Sequence, residues 1–529
     1  MKRFISAGLT AMVACSSLGC RQETVATFEP NMVYAKAMEI DSGYPMQKAL
    51  DQTQVALLRF FGTPDDPRLP EVVTADEEYA GIVSLEHLQK AAGAPTGAGT
   101  GLYRQHCSTC HGIVGNGRGA TAALLAVYPR DYRMGKFKFK ETTRSAKPTR
   151  DDLVYIIRHG VPGTAMVPAE QYSPPLTDDD IQALVDYVIY LSWRGELERA
   201  LLTEGAEVEF EEGESLFDPN SADFKEQLAF ANDTILEIGD SWLEAEDRIK
   251  DVPDPGDIPV PATIEELRTA LAAPGDTPIK QSVARGKEVF QSEVAACGKC
   301  HGLEGHGDGP QQDYDDWTKD WTVRIGIDPT DEAAQVPLVA RGALPPHKID
   351  PRDFRVGMYR GGAEPDHIYR RIAAGIDGTP MPAATLPEED IWNLVNFVRS
   401  LAAAPEEEGA PPATDAKPAT DSKPAADTKP AADTKPAAPV EADTKPAAPA
   451  AADTKPAAPA EADNKPAADT KPAAPAEADS KPATDAKPAA PAEADTKPAA
   501  PAEAGAKPAA PAEADTKPDA PAAEPKEAT

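Results

Sequence analysis

Apolar residues fall at helical spacing in several stretches of the chain. Ala49 to Phe61 (ALDQTQVALLRFF) has such spacing and is cut off by Gly62-Thr63-Pro64-Asp65-Asp66-Pro67, a strong turn signal. Ile181, Leu184, Val185, Val188 and Leu191, with Tyr187 beside them, form the stripe of a helix over Asp178 to Leu191. Thr177 and Asp180 stand at capping-box spacing at its start. Ile391, Leu394, Val395, Phe397, Val398 and Leu401 repeat that stripe in register. Between the two, Phe224, Leu228, Ile235, Ile238, Trp242 and Ile249 describe one apolar face over about Ser221 to Lys250. An interruption is expected at Gly239, because a mid-helix glycine costs roughly 1 kcal/mol. The run Pro253 to Pro261 ends this element, and Thr263 with Glu266 predicts a capped short helix after it.

Composition narrows how much of the chain can form a core. The 529 residues include 54 prolines and are only 41% hydrophobic. From residue 404 onward the chain repeats units such as Ala-Asp-Thr-Lys-Pro-Ala-Ala-Pro-Ala-Glu, with almost no large apolar side chain. Such a segment cannot offset the entropy of folding and is expected to be disordered, extended and polyproline-like. It holds about ten of the 34 net negative charges, so most of the acidity falls on the rest of the chain. An acidic surface disfavours nucleic acid and suits basic partners or plain solubility.

The opposite end reads as an address. Met1-Lys2-Arg3 is basic, Phe4 to Ala14 is apolar but too short for a membrane span, and Ser17-Leu18-Gly19-Cys20 follows. Residues 1–20 are expected to be a signal peptide, and the Gly-Cys ending resembles a bacterial lipoprotein processing site with Cys20 as the lipidated residue. The expected location is exported and periplasmic, with membrane attachment only through that lipid.

Of six cysteines, Cys15 and Cys20 lie in this leader and four remain. Cys107-Ser-Thr-Cys110-His111 and Cys297-Gly-Lys-Cys300-His301 both read CxxCH, each followed by glycine. Two thiols at this spacing can lie on one side of a helical turn and each form a thioether with a haem vinyl group, which pins the next histidine beneath the iron. A single zinc site is the rival, and it would need four ligands drawn from pairs far apart in sequence.

Around each pentapeptide other features recur. Gly99, Tyr103 and Cys107 share one helical face, whereas Gly286 and Phe290 open the second copy with Phe290 seven residues before Cys297, so a bulge or longer turn is expected there. Pro129-Arg130-Asp131-Tyr132-Arg133 is answered by Pro351-Arg352-Asp353-Phe354-Arg355. Gly160-Val-Pro-Gly-Thr-Ala-Met166 is answered by Gly375-Ile-Asp-Gly-Thr-Pro-Met381. The copies differ by an insertion of roughly thirty residues between Pro310 and Pro351, holding Trp317, Trp321 and His347. It could shield a haem edge, contact the other domain, receive a partner or be a solvated loop.

The two copies resemble class I c-type cytochromes, and the methionine loops are similar to the distal-methionine loops of that family, especially of small domains associated with respiratory oxidases. The resemblance implies an all-α fold: two tandem cytochrome c domains over 95–200 and 282–403, joined by an acidic helical connector over 201–281, with an N-terminal packing arm over 21–94 and a tail over 404–529. It implies two covalently bound haem c groups, one on Cys107 and Cys110 with His111 and Met166 on the iron, the other on Cys297 and Cys300 with His301 and Met381. Arg130 and Arg352 are candidate propionate contacts, with salt bridges to Asp131 and Asp353 or plain exposure as alternatives. His106, His159 and His306 are expected not to be ligands. The implied activity is one-electron transfer rather than catalysis, as a carrier or as a subunit of a quinol-oxidising or haem-copper oxidase complex, with such complexes or small electron carriers as redox partners. A dihaem peroxidase with one displaceable methionine is the enzyme alternative.

Overall fold

The computed structural model describes residues 26–93, 101–207, 217 and 219–403. The expectations for Cys20, for the leader, for Gly99 and for the tail lie outside the described residues.

The arm forms five helices: α1 (Met32–Ser42), α2 (Gln47–Phe61), the single turns α3 (Glu71–Thr74) and α4 (Glu77–Ala80), and α5 (Leu85–Ala91). The apolar side of α2 is the reason it docks: Leu57, Phe60 and Phe61 are buried in one core with Leu88, Tyr103, Leu184, Tyr187 and Tyr190. In this core Tyr103 packs against Tyr187 with ring centroids 4.9 Å apart. The arm and the first CxxCH region therefore share a single interior.

The first domain adds α6 (Leu102–His106), α7 (Ser108–His111), α8 (Arg150–His159) and α9 (Asp178–Glu207). Thr177 and Asp180 cap α9 reciprocally, the Thr177 amide donating to Asp180 at 2.9 Å and the Asp180 amide to Thr177 at 3.2 Å. The helix does not stop near Leu191 as its stripe predicts. It continues for four more turns because Leu197 and Leu201 are buried in the core that the arm shares with the CxxCH region, and Leu202 and Ala206 against Ala35, Met46, Ala49 and Leu50 of the arm.

The connector is ordered along both domains. Helix α10 (Phe224–Leu243) runs through Gly239 without a break. The glycine is there for approach, since a Cβ would lie 2.7 Å from the Tyr79 ring and 3.1 Å from Trp193. The Trp193 indole donates to the Ile235 carbonyl at 2.9 Å, which fixes α10 on the first domain. After it, residues 250–262 run along the second domain. Proline leaves this stretch without helix or ladder partners, and side chains supply them: Trp392 donates to Pro253 O (3.1 Å), Asn396 to Pro259 O (2.9 Å), and Arg399 to Pro261 O and Ala262 O (2.6 and 2.8 Å). Helix α11 (Ile264–Ala272) follows with the Thr263–Glu266 capping box in place.

The second domain comprises α12 (Pro278–Gln291), α13 (Gly298–His301), α14 (Asp316–Asp320), α15 (Glu332–Val339), α16 (Pro365–Ala374) and α17 (Glu388–Ala403). α12 crosses α17 at Gly286, where a Cβ would overlap the Asn393 carbonyl. Val289 and Phe290 meet Leu394, Phe397 and Val398 in that crossing. A turn at 292–296, with Ala296 at φ 53°, supplies the longer approach to Cys297. The insertion is closed at its base by the antiparallel pair β1 (Asp313–Tyr314) and β2 (Lys348–Ile349). Trp321, Leu338 and Ala343 pack on Val33 and Ala37 of α1, and Arg199 of α9 pairs with Asp320 through both guanidinium nitrogens at 2.8 and 2.9 Å. Of the four roles open to it, the insertion takes contact with the other domain. Among the described residues no helix is long and apolar enough to cross a membrane.

Candidate functional site

Each CxxCH lies on one helical turn. The amide of His111 donates to Cys107 O at 2.9 Å, and that of His301 to Cys297 O at 2.9 Å, so both cysteines and the histidine stay on a single turn. A glycine loop then folds back over the turn in both copies, as Gly112-Ile-Val-Gly-Asn-Gly-Arg-Gly119 and Gly302-Leu-Glu-Gly-His-Gly-Asp-Gly309. The first three glycines of each sit at φ between 67° and 75°. That backbone lets Gly117 N and Gly119 N reach His111 O and Cys110 O (2.9 and 3.0 Å), and Gly307 N and Gly309 N reach His301 O and Cys300 O (2.8 and 3.1 Å). The spacing GxxGxGxG was legible beside both pentapeptides and is the repeat that motif reading passed over.

Both histidines are held in one tautomer. Nδ1 of His111 lies 3.3 Å from Arg130 O and Nδ1 of His301 3.3 Å from Arg352 O. A carbonyl can only accept, so Nδ1 carries the proton and Nε2 keeps its lone pair for a metal. The rings stack on the aromatic residue of the repeated segment, His111 on Tyr132 (5.0 Å, 13°) and His301 on Phe354 (4.6 Å, 23°). Burial brings His111 down to about 4 and lowers His301 as well, so both imidazoles are neutral near pH 7.

The four CxxCH cysteines form no disulfide. Burial pushes Cys107 up to about 12 and Cys297 to about 11, so both carry their protons near pH 7. Among the described residues no three His, Cys, Asp or Glu side chains gather where they could hold a metal ion.

The two methionine loops have one architecture. In the first, Val161 N donates to Met166 O (2.8 Å), Thr164 Oγ1 to Val161 O (2.8 Å), and Met166 N to Thr164 Oγ1 (3.1 Å). In the second, Ile376 N donates to Met381 O (3.1 Å), Thr379 Oγ1 to Ile376 O (2.8 Å), and Met381 N to Thr379 Oγ1 (3.2 Å). The threonine thus orients the methionine's own amide in each copy. Met166 and Met381 stay half-buried, as do all four cysteines and both histidines.

A cleft beside the first histidine gathers cations. Arg118, Arg130 and Lys138 line it together with Asp131, Asp315 and Trp317. Burial brings Arg118 and Arg130 down to about 10 and Lys138 to about 7, so an acidic group entering the cleft would be favoured by all three. The donor set and these cations fit haem c with its two carboxylates. Arg130 does not pair with Asp131: Asp131 takes Arg133 at 2.7 Å, Asp353 takes Arg355 at 2.7 Å, and the Arg130 guanidinium stacks on Trp317 at 3.6 Å. Arg352 extends toward the first methionine loop, with Nη1 3.8 Å from where a Cβ on Gly163 would stand and Met358 Sδ 3.4 Å from the same point.

Three of the other histidines have neighbours of their own. His159 Nδ1 meets Tyr155 O at 3.0 Å, His106 packs edge-on to Tyr172, and His347 lies by Tyr128.

Comparison with known families agrees with this geometry. Residues 94–188 match the model described as cytochrome C oxidase, cbb3-type, subunit III, and residues 283–402 match that of cytochrome c. No curated protein matches the chain. A solved chain of the Kuenenia stuttgartiensis reducing HAO-like protein complex is 23% identical, with a TM-score of 0.33, over 57% of this chain and 93% of its own. A score that low carries no argument about arrangement or role.

Proposed function

We propose that the chain, with its two cytochrome c domains, is a dihaem c-type cytochrome that carries single electrons in an exported respiratory chain, as a carrier or as a subunit of a quinol-oxidising or haem-copper oxidase complex. The observation that supports this most is the pairing, in both domains, of a tautomer-locked CxxCH histidine with a methionine loop of identical hydrogen bonding. Haem c, once bound, supplies the one-electron couple. Cys107 and Cys110, and Cys297 and Cys300, each hold one haem through thioethers. His111 and Met166 ligate the first iron, and His301 and Met381 the second. Thioether ligation favours the reduced iron and raises the potential, which suits the oxidising end of such a chain. The Arg130 guanidinium, in a cleft shared with Arg118 and Lys138, would meet a propionate of the first haem; Arg352, its counterpart in the second copy, extends toward the Met166 loop and would meet a propionate from there. Export follows the leader, and lipidation of Cys20 tethers the chain at a periplasmic membrane face. Basic redox proteins are the partners that the acidic charge favours.

The test is a spectrum and a redox titration of the whole chain. Two low-spin six-coordinate haems, both showing the absorption band of iron–methionine bonding, are expected. A high-spin iron in the isolated protein that turns over peroxide would replace the carrier by a peroxidase.

A further inference from the structure

The second methionine loop is gripped from the first domain. Arg144 extends from the segment before α8 and donates to three carbonyls of the loop: Met381 O at 2.8 Å, Thr379 O at 3.0 Å and Ile376 O at 3.3 Å. Next to it the Ser145 amide donates to Asp377 Oδ2 at 2.8 Å, and Lys140 pairs with the same carboxylate at 3.2 Å where both side chains are buried. From the other side the Trp317 ring lies against Gly378, so closely that a Cβ there would overlap it, and its indole N–H reaches Asp131 O at 3.3 Å. Trp317 thus spans from the loop of Met381 to the segment whose Arg130 carbonyl holds His111.

The loop's own hydrogen bonds match those of the Met166 loop, so they do not require this grip. The carbonyl of Met381 takes the Ile376 amide and Arg144 together, which ties the backbone of the methionine itself to the other domain. A planar guanidinium presents its donors to these carbonyls in a fixed fork; a lysine ammonium has three donors but, as a point charge on a flexible stem, does not reproduce that fork. Arg144 is itself exposed, so its contribution lies in the loop and not in either core.

We propose that Arg144 is a positioning residue for Met381, through which the first domain sets the axial ligation of the second haem. This rests on the reading of Met381 as an iron ligand. Loop and ligand are coupled because a thioether ligand on a loop bonds only while the loop keeps it over the iron, and freeing three carbonyls enlarges the set of loop conformations that do not.

The experiment compares Arg144→Ala, Arg144→Lys and Met381→Ala in the full chain with both haems, by carbon monoxide binding to the ferrous protein, the iron–methionine band and the two midpoint potentials. Arg144→Ala is expected to raise the fraction of second haems open to carbon monoxide about tenfold, as loss of one charge-assisted hydrogen bond would. The second potential falls while the first haem is unchanged, and Arg144→Lys recovers only part of the effect. Met381→Ala opens the second haem fully. If Met381→Ala removes the band at one haem while Arg144→Ala leaves carbon monoxide binding and both potentials at wild-type values, the positioning role is wrong and the ligand assignment stands. If Met381→Ala leaves the band intact, the ligand assignment fails, and the positioning role with it. A change of unfolding temperature in Arg144→Ala with unchanged potentials counts against the proposal, because it is what a purely structural contact gives.

Discussion

The two domains carry the same site on unequal scaffolds. The CxxCH turn, the glycine loop behind it, the carbonyl-held histidine on its aromatic ring and the threonine-oriented methionine recur almost atom for atom. What surrounds them does not. The first site rests on a core shared with the arm and α10, and its α6 is a five-residue turn of helix. The second rests on a fourteen-residue α12 crossing α17, and of its two small clusters the one around Tyr369 and Trp392 is completed by the connector through Val252, Ile258 and Val260. The constant part is what a covalently held macrocycle with two axial ligands would dictate. The variable part is what each copy packs against.

That contrast can be broken most severely at Gly286. Gly286→Ala puts a methyl into the Asn393 carbonyl, a backbone atom that cannot swing aside, and is expected to cost about 3 kcal/mol. Calorimetry of the full chain should show the second domain unfolding earlier with the first domain's transition in place; a uniform shift would mean that the two copies form one cooperative unit. Arg399→Ala is the next largest. It leaves Pro261 O and Ala262 O without their donors and should lower the second domain's stability by about 2 kcal/mol, with faster amide exchange or cleavage over 253–262. Unchanged protection there would show that the proline run holds itself. The smallest effect belongs to the first copy. Burial raises the Asp180 carboxyl, but Lys90 and the Thr177 cap outweigh it and bring the group to about 2. A folded value below the unfolded one gives stability that is present above about pH 4 and is lost as the pH falls toward 2. Asp180→Asn should flatten that acid slope in the first domain only, by under about 1 kcal/mol given the partial exposure; an unchanged slope would remove Asp180 from the acid response.

The pattern of residues showed the parts of this arrangement that are local. The capping boxes at Thr177 and Thr263, the stripe of α17 and the extra approach to Cys297 are all determined within a few residues, and they stand where expected. The all-α architecture with two cytochrome c domains was carried by motifs with fixed spacing. Packing between distant segments was out of reach. Gly239 reads as a helix breaker from propensity alone, and only Tyr79 and Trp193 on its far side explain why a glycine is needed there. The length of α9 was underestimated for the same reason, because Leu202 and Ala206, near its end, are buried against the arm. Arg144 sits in a polar stretch without a motif, and nothing within ten residues of it hints at the carbonyls of residues 376–381. Arg130 could be suspected, but its partner Trp317 lies in the insertion.

Helix α9 also bears on how this molecule can be taken apart. Thirty residues at 1.5 Å per residue make a rod about 45 Å long, more than one small haem domain needs. Its first half closes the interior around Tyr103, while its second half holds α1 and α2 and, through Arg199, reaches the insertion of the other copy. A fragment cut at the end of the recognisable domain, near Trp193, would sever that rod in mid-span and remove the buried Leu197, Leu201, Leu202 and Ala206. Dissection is better made beyond α10, whose Ala231, Ile235 and Trp242 complete the same core, retaining residues 26–243 as one piece.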